Sequence, residues 1–228
     1  MAIVPFVPWG NFLLSSVSSS GAYKRQKVVL DMNTTSNNNA NGAVAGKQVN
    51  VNDLTSFPPN GSWLITYPSS GDLTLDSQNP DTFQKFALIR LPSELDGSNK
   101  AASSFIAFSK VCVHLWCSPN YDPQKSTNAA FETYQCPCHG SIYQLPVKDP
   151  QDPSSLIDGG KAIAGPASLQ AAPTNAIPML TLTADPNGDL NIEPPLWDVD
   201  HNGVLGYGRN YQSYQNYILP SAEGKPTS

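Results

Sequence analysis

Two short segments hold all four cysteines of this 228-residue chain and two of its three histidines. VCVHLWCSPN (111–120) carries Cys112, His114 and Cys117, and YQCPCHGSIYQ (134–144) carries Cys136, Cys138 and His139. Thiolates and imidazoles bind soft and borderline metals, and thiols also pair with one another. Each segment offers one thiol and one imidazole close together, Cys112 with His114 and Cys136 with His139, and one further cysteine. Three chemistries answer to such a set. A zinc site with two cysteine and two histidine ligands would make the chain a zinc-stabilised interaction domain. Two disulfides with bystander histidines would be structural, and four cysteines allow three pairings. A [2Fe–2S] cluster would place two cysteines on one iron and two histidines on the other. The two metal readings give His114 and His139 a task; the disulfide reading gives them none.

The elements that must position these loops read as strands. Apolar or alternating runs occur at KVVLDM (27–32), KQVNVN (47–52), SWLITY (62–67), LTLD (73–76) and FALIRL (86–91). SFIAFSKVC (104–112) leads straight into the first loop, and SIYQLPV follows the second. PMLTLTADPNGDLNIEP reads as a β-hairpin turning at Asn187-Gly188. Many short runs separated by Gly, Pro and Asn predict an all-β fold. The expected organisation is a β scaffold over 1–104, a loop-rich subdomain over 105–170, and a return of the scaffold over 171–195. A C-terminal extension over 196–228 is rich in Tyr, Asn and Gly. NTTSNNNANGAVAG (33–46) reads as a polar linker between strands.

The net charge of −5 and the absence of a basic run exclude a nucleic-acid partner. Charged residues make up 14% of the chain, against about 25% in typical domains. A surface so poor in ionisable groups suits an acidic exterior, and N-x-[ST] triplets at Asn33 and Asn60 fit an external location. No run of about 18 apolar residues is present, so a membrane span is not expected in this chain. Residues 1–22 are apolar but lack a basic n-region, and read as an entering strand or the remnant of an anchor.

C-x-H-L-x-C followed by C-P-C-H-G-S-x-Y resembles the Rieske iron–sulfur protein of cytochrome bc1 and b6f complexes. The likeness runs from Cys112 to Cys117, from Cys136 to Ser141, and to Tyr143. Gly165-Pro166-Ala167 resembles the family's proline loop, which covers the cluster from a third side. The resemblance implies an antiparallel β-sheet sandwich with a smaller inserted cluster-binding subdomain. It implies one [2Fe–2S] cluster on Cys112, His114, Cys136 and His139, and a Cys117–Cys138 disulfide clamping the loops. Ser141 and Tyr143 match the family hydroxyls that donate to cluster sulfur and raise its potential. His139, with His114, Leu115 and Pro166, matches the surface that meets quinol and a membrane partner. The implied function is one-electron, one-proton transfer from quinol to a cytochrome or oxidase centre. That transfer takes place beside a cytochrome b-type subunit, on the extracytoplasmic face of a membrane. The isolated domain is not expected to turn over alone. An alternative is the Rieske small subunit of a molybdenum-containing, arsenite-oxidase-type enzyme, which can also carry the disulfide.

The chain departs from the family in three places. Trp116 stands where glycine is usual, Val113 replaces a common threonine, and 21 residues separate His114 from Cys136. Together with the low charge, these suggest a divergent prokaryotic member, of a kind found in thermoacidophilic archaea. His201, with Asp198, Asp200 and Asn202, does not match an EF-hand spacing and reads as a solvated turn.

Overall fold

The computed structural model describes residues 24–34, 44–78, 84–123, 133–154, 156–157, 159–171 and 175–194. The apolar N-terminal stretch, most of the 33–46 linker, His201, the C-terminal extension and part of the long segment between the two Cys/His loops lie outside these residues.

FALIRL and SFIAF are apolar at consecutive positions rather than alternate ones. Successive strand side chains point to opposite faces, so such strands need cover on both. They become β3 (Lys85–Arg90) and β4 (Phe105–Ser109), every residue of which is buried. With β2 (Ser62–Thr66) they form an antiparallel sheet in the order β2-β3-β4. Phe86, Leu88, Phe105 and Ala107 turn to one side, joining Val28, Leu30, Trp63, Ile65, Leu190 and Ile192. Ala87, Ile89, Ile106 and Phe108 turn to the other, joining Cys112, Tyr134, Cys136, Tyr143 and Leu145. The middle sheet thus separates two cores, and the second core contains two of the cysteines. Each fully buried Phe, Leu or Ile contributes about 2 kcal/mol.

The first core is closed by β1 (Gln26–Lys27), β11 (Leu182–Ala184) and β12 (Leu190–Ile192), in the order β1-β12-β11. The second is closed by β5 (Asn120–Asp122), β6 (Thr133–Gln135), β7 (Ile142–Gln144) and β10 (Ala162–Ala164), in the order β10-β7-β6-β5. A two-stranded ribbon of β8 (Val147–Lys148) and β9 (Leu156–Ile157) lies between β7 and β10 in sequence. The pairings are antiparallel, and the all-β class is the one the sequence predicts. The expected hairpin is present: Ala184 faces Leu190, and Asp185 Oδ1 accepts from the N–H groups of Asn187 and Asp189, both at 2.9 Å. Gly188 takes φ 86° in that turn, where a Cβ would meet Asn52 at 2.2 Å.

One expected strand is a helix. LTLD lies in α1 (Leu73–Gln78) because Asp72 caps it, its Oδ1 accepting from Thr74 N at 2.8 Å and Leu75 N at 3.2 Å. Four alternating residues are too few to outweigh that cap. KVVLDM and KQVNVN bury Val28, Leu30, Val49 and Val51, yet beyond β1 they pair through single bridges such as Val29 with Gln48, and they end in turns at Met32 and at Val51-Asn52.

Two buried cations tie the middle sheet to its surroundings. Arg90 donates to the carbonyls of Gly97, Phe57, Val51 and Asn99 at 2.6–3.1 Å, solvating its charge with backbone dipoles. Lys85 Nζ lies 2.7 Å from Asp31 Oδ2 and donates to Thr66 Oγ1 and the Asp76 carbonyl. Burial opposes ionisation of Asp31, but the hydrogen bonds from Lys85 and Thr66 hold its carboxyl below the ordinary value.

Candidate metal centre

The two Cys/His loops are built alike. In the first, between β4 and β5, Cys112 N–H donates to Cys117 O at 2.8 Å and Trp116 N–H returns to Cys112 O at 2.9 Å. In the second, between β6 and β7, Cys136 N–H donates to Ser141 O at 2.8 Å and Gly140 N–H returns to Cys136 O at 3.1 Å. Each loop therefore closes on its first cysteine through residues four and five places later. The residue four places on has positive φ in both, 62° at Trp116 and 74° at Gly140. A third loop follows β10. Gly165, with φ 72°, lies so close to the second loop that a Cβ would fall 2.5 Å from Gly140 O and 2.6 Å from Ser141 Cα. Pro166–Leu169 then form a 3-10 turn. This loop bonds to both others: Ala167 N–H donates to Ser141 Oγ at 3.2 Å, and Gln170 Nε2 donates to Val113 O at 3.2 Å.

The six Cys and His side chains divide into three pairs. Cys117 and Cys138 form a disulfide joining the two loops, with an S–S distance of 2.10 Å and Cα atoms 6.4 Å apart. Cys112 and Cys136 are free and buried in the same core. His114 is half-buried and His139 exposed, their rings perpendicular with centroids 4.8 Å apart. The sulfurs of Cys117, Cys136 and Cys138 also lie within 4.8 Å of one another. Two of these are bonded together, so that trio is no ligand set. What remains is a buried thiol pair and an outward imidazole pair, one of each from each loop. Two thiolates on an inner metal and two imidazoles on an outer one fit this donor set.

The polar groups around the thiols are donors. Tyr143 Oη lies 3.0 Å from Cys112 Sγ and accepts the Val113 N–H at 3.1 Å. Toward a Cys112 thiolate, which can only accept, Tyr143 would be the donor. Ser141, fully buried, likewise accepts a backbone N–H, from Ala167, at Oγ and keeps its own proton to donate. Burial pushes the Cys136 thiol up, and nearby Cys112 adds to this, while N–H groups of Cys138 and His139 pointing at its sulfur oppose it. Burial, and then Cys112, push the Tyr143 phenol far above its ordinary value, so it stays a donor. Tyr134 is held neutral in the same way, by burial and then by Cys112 and Cys136, and donates to Ser109 O at 2.9 Å.

The structure thus gathers Cys112, His114, Cys136, His139, Ser141 and Tyr143 at one end of the second core. Leu115 is 63% exposed at the tip of the first loop, Trp116 beside it is 62% exposed, and Pro166 is half-buried. Sequence reasoning missed Tyr134 and Gln170. Tyr134 was within reach of it, since alternation along β6 places it on the same side as Cys136. Gln170 carried no motif.

No family model matches the sequence. Among solved structures, the chain is similar to the soluble domain of the Rieske protein II (soxF) from Sulfolobus acidocaldarius. The TM-score is 0.36 at 21% identity, over 68% of this chain and 80% of that one. It is similar to the cyanobacterial plasma membrane Rieske protein PetC3 from Synechocystis PCC 6803, with TM-score 0.32 and 18% identity over 64% and 98%. It is also similar to NdmB of Pseudomonas putida CBB5, with TM-score 0.35 and 14% identity over 76% of this chain. The chain spans 35% of the length of NdmB. These likenesses are of low identity and low TM-score; what the loops can do rests on their own side chains.

Proposed function

We propose that this chain is a Rieske-type iron–sulfur domain that carries one electron from quinol to a cytochrome or oxidase centre of a membrane respiratory complex. The observation that carries the reading is the three-way division of the Cys and His residues. The Cys117–Cys138 bond consumes two sulfurs and leaves two buried thiols and two outward imidazoles, one of each per loop. Cys112 and Cys136 would hold an inner iron, and His114 and His139 an outer one. A cluster so bound supplies one-electron transfer at about −150 to +300 mV, because neutral imidazoles replace two thiolates.

The surrounding side chains favour the upper part of that range. Tyr143 and Ser141, each with its acceptor role filled by a backbone N–H, direct hydroxyl protons inward and favour added negative charge there. His139, the exposed imidazole, is the group through which a quinol hydroxyl would donate a hydrogen bond and then a proton; half-buried His114 has its ring 4.8 Å away. Segments 111–120, 136–146 and 162–178 contain no Asp, Glu, Lys or Arg. Together with the exposure of Leu115 and Trp116, this suits an uncharged, apolar partner such as the quinol site of a cytochrome b-type subunit. The disulfide supports an oxidising, extracytoplasmic location. No helix among the described residues is long and apolar enough to cross a membrane.

The test is metal and sulfide analysis of the purified protein, with electron paramagnetic resonance after reduction. Two irons and two sulfides per chain, with a reduced-state signal typical of mixed imidazole and thiolate ligation, are expected. A colourless protein holding one zinc would overturn the proposal in favour of a zinc-stabilised domain.

A further inference from the structure

Val113 separates two of the proposed ligands, Cys112 and His114, and both of its backbone polar groups are held by side chains from other parts of the chain. Its N–H donates to Tyr143 Oη at 3.1 Å, and its carbonyl accepts from Gln170 Nε2 at 3.2 Å. The Val113 N–H occupies one side of the phenol oxygen and so favours the hydroxyl orientation that turns the Tyr143 proton toward Cys112 Sγ, 3.0 Å away, when that sulfur is a thiolate. The aim of Tyr143 therefore depends on where the Val113 backbone stands, and Gln170 fixes that backbone from the third loop. Gln170 Oε1 is buried and has no hydrogen-bond partner among the described residues. A buried unpaired acceptor is destabilising, so what the amide offers at this position is its donor to the Val113 carbonyl. Rotating the amide would set Oε1 against the Val113 carbonyl, two acceptors face to face, so Nε2 is the contacting atom.

We infer that Gln170 is a positioning residue of the redox centre, holding the turn between Cys112 and His114 so that Tyr143 donates to the Cys112 sulfur. The inference rests on the Rieske-type reading above.

The test uses the cluster-loaded wild type, Tyr143→Phe, Gln170→Met and the double variant, with the midpoint potential of each measured at one pH. Gln170→Met keeps the length of the side chain and removes its donor. It is expected to shift the potential downward by less than Tyr143→Phe does, and to add no shift in the Tyr143→Phe background. An unshifted potential in Gln170→Met, or a shift that adds in full to that of Tyr143→Phe, would overturn the inference. In the metal-free protein, exchange of the Val113 amide proton should quicken at least threefold in Gln170→Met; unchanged exchange refutes the hold whatever metal the protein takes up. Thermal unfolding of the metal-free variant separates loss of position from loss of fold, and Gln170→Leu carries the same test if Gln170→Met does not fold. Wild type lacking an iron–sulfur signal refutes the Rieske-type reading, whereas a normal signal with unmoved variants refutes only the role of Gln170.

Discussion

Trp116 and Gly140 occupy the same place in two loops of the same design. Each donates its N–H to the carbonyl of the cysteine four residues earlier, and each has positive φ. Glycine takes that conformation freely, whereas an L-residue with a side chain costs about 1–2 kcal/mol there. The departure at Trp116 is therefore one of cost and surface rather than of loop shape: the backbone keeps the turn and presents an indole at the tip.

A reciprocal pair of substitutions checks this. Trp116→Gly should stabilise the metal-free protein by about 1 kcal/mol, read from denaturant midpoints. Gly140→Ala should destabilise it by about the same amount, because no atom lies within 4 Å of the added Cβ and only the backbone penalty acts. No change in either variant would contradict the shared geometry.

Ser141→Ala and Tyr143→Phe should each lower the midpoint potential while leaving the cluster in place. A lost hydrogen bond to charged sulfur, worth about 1.5 kcal/mol, corresponds to about 60 mV for a one-electron couple. Redox titration followed by visible circular dichroism measures it, and two unmoved potentials would remove the assigned role from both hydroxyls.

The Cys117–Cys138 bond closes a loop across a sequence separation of 21. Replacing both cysteines by serine should cost about 3 kcal/mol of stability and speed the loss of iron to a chelator. Iron retention equal to that of wild type would show that the clamp has no part in holding the loops together.

Asp31 sets an acid limit. Its folded-state pKa lies below the ordinary 3.8, so its contribution is complete above that value and is lost as pH falls through the lower folded one. Asp31→Asn leaves Lys85 buried without its counter-charge and should cost about 3–5 kcal/mol at neutral pH. The gap from wild type should narrow only below about pH 4. Asp53 behaves likewise: burial opposes its ionisation, but hydrogen bonds from Lys47 and Ser56 bring its pKa to about 2. Guanidinium unfolding across pH 2–7 tests the window, and a gap that closes above pH 5 would contradict it.

The two Cys/His loops were legible in the sequence because cysteine and histidine are scarce and their spacing is local. The middle sheet was legible in part: FALIRL and SFIAF announced strands, and their unbroken apolar character is what two cores require. LTLD misled because a cap residue outside the run decided its state. Gln170 could not be read, since its partner lies 57 positions away and amide side chains are common in surface loops. Trp116 was visible as an anomaly, but only its φ angle gave the anomaly a meaning.

The sharing of β3 and β4 between two cores bears on how the molecule comes apart. A strand buried on both faces cannot leave one core while remaining in the other, so the wall behind Cys112 and Cys136 belongs to a single cooperative unit with the distant β1-β12-β11 sheet. The slowest-exchanging amides should lie in β3 and β4. Loss of a metal held there without global unfolding would then be confined to the outer side, where the loops fray as far as the disulfide lets them.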